Sequence, residues 1–382
     1  MEKLFNQKVE RLNSNTYKWD SQTSSDFLPF WVADSDYSTA PSVIDELIKT
    51  ANLKAFGYNM IPNEFNNAIV EWYKRRYGSF VSPEWIIPST GVILEIRVLL
   101  EILTKENDGI ILQTPVYHTF HHLINRMGRR IIENKLVRVN DTYEMNFKDL
   151  EDKFKEGHKV MILCSPHNPV GRIWSKDDIL KVVSLAKKYN VFLIIDEIHS
   201  DLNISNKIFT SGIDFVDLYD NIAVCNAPSK AFNIAGLHTS YIILPNKNIK
   251  EEYQQQKDKE FLNSPSVFGY TATIAAYTKG DEYIDLQNKH LLNNYNYLKE
   301  FINMYLPNVI VTKLEGTYLV WLDFSYTNLS TCELLDKCKN AKITCNGGVD
   351  FCKDCESFLR FNIACPFDQL KEGLNRLVKE FK

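Results

Sequence analysis

Long apolar runs are missing from this sequence. Nothing in its 382 residues approaches the roughly 18 consecutive apolar side chains that a membrane-spanning helix needs. An excess of positive charge is missing too. The 44 Lys and Arg against 48 Asp and Glu leave a net charge of −4, so neither nucleic acid nor an anionic membrane is an expected partner. The opening MEKLFNQKVERLNSNTYKWD lacks an apolar signal core, and a cytoplasmic location is expected. Cysteine occurs eight times, at Cys164, Cys225, Cys332, Cys338, Cys345, Cys352, Cys355 and Cys365. In a long chain read as cytoplasmic these are reduced thiols rather than a disulfide framework. A zinc site is short of ligands, because Cys352-Lys353-Asp354-Cys355 is the single CxxC. No metal is expected. Internal repeats and low-complexity segments are absent.

What remains is ordinary globular composition, 45% hydrophobic and 24% charged, enough for a large core and two domains. Residues 1–40 read as an arm, polar over 1–30 and carrying the short apolar stretch Pro29-Phe30-Trp31-Val32-Ala33-Asp34. Residues 41–279 read as a large α/β domain, and 280–382 as a smaller α+β domain. Strands are predicted at 85–88, 109–114, 130–136, 159–164 and 191–195. Helices follow at 93–103 and 176–189. This alternation predicts a mostly parallel central sheet with ligands bound beyond the carboxyl ends of its strands. Tyr117, Asn168, Asp196 and His199 all fall just past such ends. Ala55-Phe56-Gly57-Tyr58 reads by itself as an aromatic turn packed by its own rings.

Asn221 to Leu244 places Ser229-Lys230 between two apolar β-branched runs. Poor solvation there lowers a lysine's pKa, and a neutral amine attacks carbonyls. The strand–small-residue–helix passage from Ser89 through Gly91, Val92 and Ile93 is a ready anion site or an ordinary turn. Pyridoxal 5′-phosphate needs five things: an amine for its aldehyde, a carboxylate at its ring nitrogen, a donor at its phenolate oxygen, a stacking ring and an anion site. Lys230, Asp196, Asn168, Tyr117, and Gly91, Val92, Ile93 with Ser229 suit those tasks in turn.

The segments SPHNPVGRIW (165–174), DEIHSDL (196–202) and SKAFNIAGL (229–237) resemble fold-type I pyridoxal-phosphate enzymes of aminotransferase class I/II. PFWVADSDY (29–37), SPSV (264–267), EGTYLVWLDF (315–324) and LRFNIACP (359–366) are similar to the cystathionine β-lyase (C–S lyase) branch known as MalY/PatB. The resemblance implies that Lys230 carries the cofactor and moves the α-proton. Asp196, Asn168 and Tyr117 would take the tasks above, with His199 supporting ring and aspartate. Arg360 would clamp the α-carboxylate of an amino-acid substrate, assisted by the Ala33 N–H. Tyr58 would reach the phosphate of a neighbouring subunit, which implies a homodimer with active sites at the interface. Two departures stand out. His238 occupies the position where many class members carry a phosphate-binding arginine, and Ser35 stands where the branch often has methionine, next to the expected side-chain pocket. The implied reaction is β-elimination of cystathionine- or cysteine-type substrates. Transamination shares its early steps and stays open, as does a regulatory binding role on the same fold.

Overall fold

The computed structural model describes residues 1–205, 207–262 and 264–382. Its centre is a seven-stranded sheet. In spatial order the strands are Ile86–Ser89, Ser240–Ile243, Ile222–Asn226, Phe192–Asp196, Val160–Cys164, Gly109–Leu112 and Arg130–Glu133. All neighbouring pairs run parallel except those made by Ser240–Ile243, which is antiparallel to both of its partners. Residues alternate across the pleat, and both faces are covered. Ile111, Met161, Leu163, Leu193, Ile195 and Val224 enter one apolar cluster. Ile110, Leu112, Ile162, Ile194, Ala223 and Ile242 enter the other. That is why these strands read as continuous apolar runs.

A reversed strand has a consequence for the site. Its amino end lies at the same edge as the carboxyl ends of the other strands. Ile222–Asn226 therefore leaves the sheet where Ser240–Ile243 enters it, and the loop with Ser229 and Lys230 spans that edge.

A second, four-stranded antiparallel sheet joins Ile310–Val311, Leu319–Asp323, Phe358–Asn362 and Asn346–Gly347. The helix Asp281–Tyr305 runs ahead of it in the chain, and Phe367–Phe381 closes the chain. Capping boxes start Lys176–Tyr189, through Ser175 and Asp178, and Thr331–Asn340, through Ser330 and Glu333. Each satisfies amides that a helix start leaves unbonded.

The arm is more ordered than its composition predicts. Leu28–Pro29 pairs in parallel with Ile343–Thr344. Asp36 is buried and accepts from Lys18 Nζ at 2.9 Å, Trp19 Nε1 at 2.8 Å and Gln369 Nε2 at 2.8 Å. The turn at Phe56 to Tyr58 is not packed by its own rings: Phe56 is 58% exposed and Tyr58 fully so. Among the described residues no helix is long and apolar enough to cross a membrane, and no group of three or more His, Cys, Asp or Glu is arranged to hold a metal ion.

Candidate active site

At the loop-bearing edge of the central sheet lies a cleft. Strand ends supply its walls. The first strand delivers Thr90, Gly91, Val92 and Ile93, and the fifth delivers Cys164 and Asn168. The fourth delivers Asp196 as its last residue, followed by Ile198 and His199. Ala227, Ser229 and Lys230 follow the third, and His238, Thr239 and Ser240 lead into the reversed strand. Tyr117, the N-cap of the helix His118–Arg126, and Ala33 from the arm complete it.

Lys230 Nζ donates to the Ala33 carbonyl at 2.9 Å. Burial pulls the ammonium's pKa down and the Arg360 charge adds to this, while Asp34 and Asp196 oppose it. The loop is tied to the arm by Asn233, whose Oδ1 accepts from Ser35 N at 3.1 Å and whose Nδ2 donates to the Ser35 and Tyr37 carbonyls at 3.0 and 2.9 Å. Ser35 itself is fully buried in this tie and does not line the cleft, contrary to its expected place beside the side-chain pocket.

Burial raises the Asp196 carboxyl to about 6, and the Ile198 N–H and the Lys230 charge resist that rise. One of its oxygens accepts from that N–H at 3.0 Å. His199 is buried, and desolvation, with the Lys230 and Arg360 charges, drives its pKa down to about 3. Its ring is therefore neutral. Its Nδ1 has no partner and forms no hydrogen bond to Asp196, so support of the aspartate by His199 is not direct.

Arg360 sits behind Asn168 in the second sheet. Its Nη1 donates to Asn168 Oδ1 at 3.1 Å, and its Nη2 to the Trp31 carbonyl at 2.8 Å and Asn346 Oδ1 at 2.7 Å. The Phe351 ring lies 4.7 Å from the guanidinium carbon. Its Nε is buried without a partner. A buried donor of this kind is costly unless something accepts from it, and a carboxylate would.

The anion end also has unfilled capacity. The first intrahelical bonds of Val92–Leu103 start from Leu94 and Glu95, both to the Gly91 carbonyl, so the amides of Val92 and Ile93 lie ahead of them. A Cβ built on Gly91 meets nothing within 4 Å, so the cup in front of those amides is open. Lys230, Asp196, Asn168, Tyr117, His199, Ser229, Gly91, Val92, Ile93 and Ala33 thus line one cleft. Arg360 borders it through Asn168, and Tyr58 lies apart from its lining, fully exposed. Thr90 lies within the expected anion passage from Ser89 to Ile93, whereas Ala227 and Thr239 were not expected from the sequence. Their positions within the lysine loop were the available signal.

Comparisons with known proteins agree with this arrangement. The sequence model of the family described as aminotransferase class I and II matches residues 7–377. Cystathionine β-lyase PatB of Bacillus subtilis is 34% identical over 380 residues, covering 98% of each chain. The structure of cystalysin from Treponema denticola, which contains pyridoxal 5′-phosphate, superposes with a TM-score of 0.95 at 31% identity, over 99% of this chain and 98% of that one. A pyridoxal-phosphate-bound protein from Clostridium difficile 630, named as a candidate aminotransferase, gives a TM-score of 0.96 at 36% identity over 99% of both chains.

Proposed function

The chain belongs to the aminotransferase class I and II family, and we propose that it is a pyridoxal 5′-phosphate-dependent C–S β-lyase. Its substrates would be cystathionine- or cysteine-type amino acids, cleaved to a thiol, pyruvate and ammonia. The observation that carries this reading is the convergence of Lys230, Asp196 and Asn168 in one cleft bordered by Arg360. The relative named as a cystathionine β-lyase supports elimination over transamination.

The cofactor fits the unfilled groups of the cleft. Asp196 would face the ring nitrogen, the Asn168 amide the phenolate oxygen, and Tyr117 the ring face. The amides of Val92 and Ile93 with the hydroxyls of Thr90 and Ser229 would hold the phosphate, as helix starts do. His238 lines the same cleft in place of an arginine. When bound, pyridoxal 5′-phosphate takes up the electron pair left at Cα on loss of the α-proton, which lets a thiolate leave Cβ.

This chain's residues do the rest. Arg360 receives the substrate carboxylate on its unpartnered Nε and keeps Cα near Lys230. Lys230, held toward the neutral amine by burial, accepts the α-proton. The neutral His199 adds no charge to the cleft. In this reading residues 41–279 hold the cofactor, and residues 280–382 with the arm carry the substrate clamp. The protein works as a cytoplasmic homodimer in which Tyr58 of a second copy reaches the phosphate; its full exposure in one chain supports this.

The test is turnover on cystathionine or cysteine without any keto acid. Continuous release of pyruvate and thiol supports the lyase. A single turnover that resumes only when a keto acid is added assigns the chain to the aminotransferases.

A further inference from the structure

A second cleft lies between the arm and the helix Thr331–Asn340, with Ile343 and Thr344 in its lining. Phe27 and Trp31 of the arm form one wall, and Leu335, Cys338 and Cys345 belong to the other. Cys338 sits on the helix Thr331–Asn340, and Cys345 joins Ile343–Thr344 to Asn346–Gly347. The two sulfurs are 3.5 Å apart. Neither thiol has a role in the chemistry proposed above. Both line the cleft, and Cys345 is the more exposed of the two, 7% against 1% for Cys338.

The short segment carrying Cys345 is also the backing of the clamp. Asn346, its next residue, gives Arg360 one of its acceptors at 2.7 Å and pairs with Arg360 across the sheet. Thr344, the residue before, accepts from Phe30 N at 2.7 Å and so fixes the chain that leads into Trp31. The Trp31 carbonyl is the second acceptor on the same guanidinium nitrogen, at 2.8 Å. Residues 344–346 therefore hold both acceptors of Arg360 Nη2. A disulfide needs sulfurs about 2.0 Å apart. Closing the present gap would draw this segment toward the helix by part of the difference.

We propose that Cys338 and Cys345 form a reversible disulfide site, open to small-molecule disulfides through the second cleft, and that its oxidation loosens the Arg360 clamp. The Cys345 thiolate attacks one sulfur of the small disulfide, forming a mixed disulfide and releasing one thiolate. The Cys338 thiolate then displaces the second. The protein loses two hydrogens as two small thiols form, and exchange with excess thiol reverses the sequence. If the proposed lyase reading holds, the thiol released by the reaction is itself a reductant for this pair.

The experiment incubates cofactor-loaded protein with oxidised glutathione, then blocks free thiols and maps peptides by mass. The expected product is a Cys338–Cys345 cross-link that dithiothreitol removes. Amino-acid binding, read from the cofactor's visible absorption, weakens about fivefold, the size expected for weakening one hydrogen bond to Arg360. Cys338→Ser and Cys338→Ala, on the helix outside the clamp's backing, should both lose the cross-link while binding amino acid, before oxidation, as the reduced wild type does. Glutathione held on one cysteine without a cross-link, a cross-link elsewhere, or a Cys338–Cys345 cross-link that leaves binding unchanged would each overturn the proposal. Peptide mapping needs no turnover, so loss of the lyase reading alone would leave the cross-link detectable.

Discussion

Asp196→Asn should stabilise the cofactor-free protein while disabling the loaded one. Asp196 is 4% exposed, and burial lifts its carboxyl from 3.8 to about 6. At 1.36 kcal/mol per decade, that rise is a cost of about 3 kcal/mol for keeping the carboxylate ionised in the empty site. The sign follows from proton counting. Between pH 4 and 6 the folded cofactor-free protein holds a proton on Asp196 that the unfolded chain has released. Stability therefore falls as pH rises through this range, and the full cost is present above about pH 6. Asparagine keeps an oxygen for the Ile198 N–H and carries no charge. In urea unfolding of cofactor-stripped protein, Asp196→Asn should exceed wild type by up to about 3 kcal/mol at pH 8 and by little at pH 4. With cofactor bound, the order of function reverses, because the ring nitrogen loses its anionic partner. Stripped Asp196→Asn that is less stable than wild type at pH 8, or an advantage that does not change with pH, would refute the reasoning.

Arg360→Lys should raise KM for the amino acid by about 10- to 100-fold, the loss of one charge-assisted hydrogen bond of about 1.5–3 kcal/mol, checked by steady-state kinetics. Asp36→Ala removes the acceptor shared by Lys18, Trp19 and Gln369 and leaves Lys18 with Asp34 at 3.4 Å, and thermal unfolding should report a loss of about 3 kcal/mol. Tyr58→Phe should weaken cofactor binding in equilibrium dialysis, and mixing it with Lys230→Ala should restore part of the activity through hybrid dimers.

Some of this molecule was legible in its sequence and some was not, for identifiable reasons. Lys176–Tyr189 matches its predicted limits, since it is amphipathic and carries a capping box. The helices His118–Arg126 and Phe147–Lys155 were not predicted. Histidines crowd the first and charges the second, which blurs the apolar period that identifies a helix. The hairpin of Val137–Val139 and Thr142–Glu144 was missed for a similar reason: its strands have three residues each, too short for alternation to register. The pairing of Leu28–Pro29 with Ile343–Thr344 joins the two ends of the chain and leaves no local mark. In the site, Lys230, Asp196 and Asn168 were legible because strand ends in such sheets gather at one edge. The role of residues 344–346 was not, because nothing in a sequence says which backbone oxygens will face an arginine.

The most direct measurement is borohydride reduction of the cofactor-loaded protein, which fixes the cofactor to the amine holding it, followed by peptide mapping. One tag, on Lys230, with Lys230→Ala left untagged, is the expected result. A tag on another lysine, or none with the visible absorption unchanged, would contradict the assignment of Lys230 and with it the proposed chemistry.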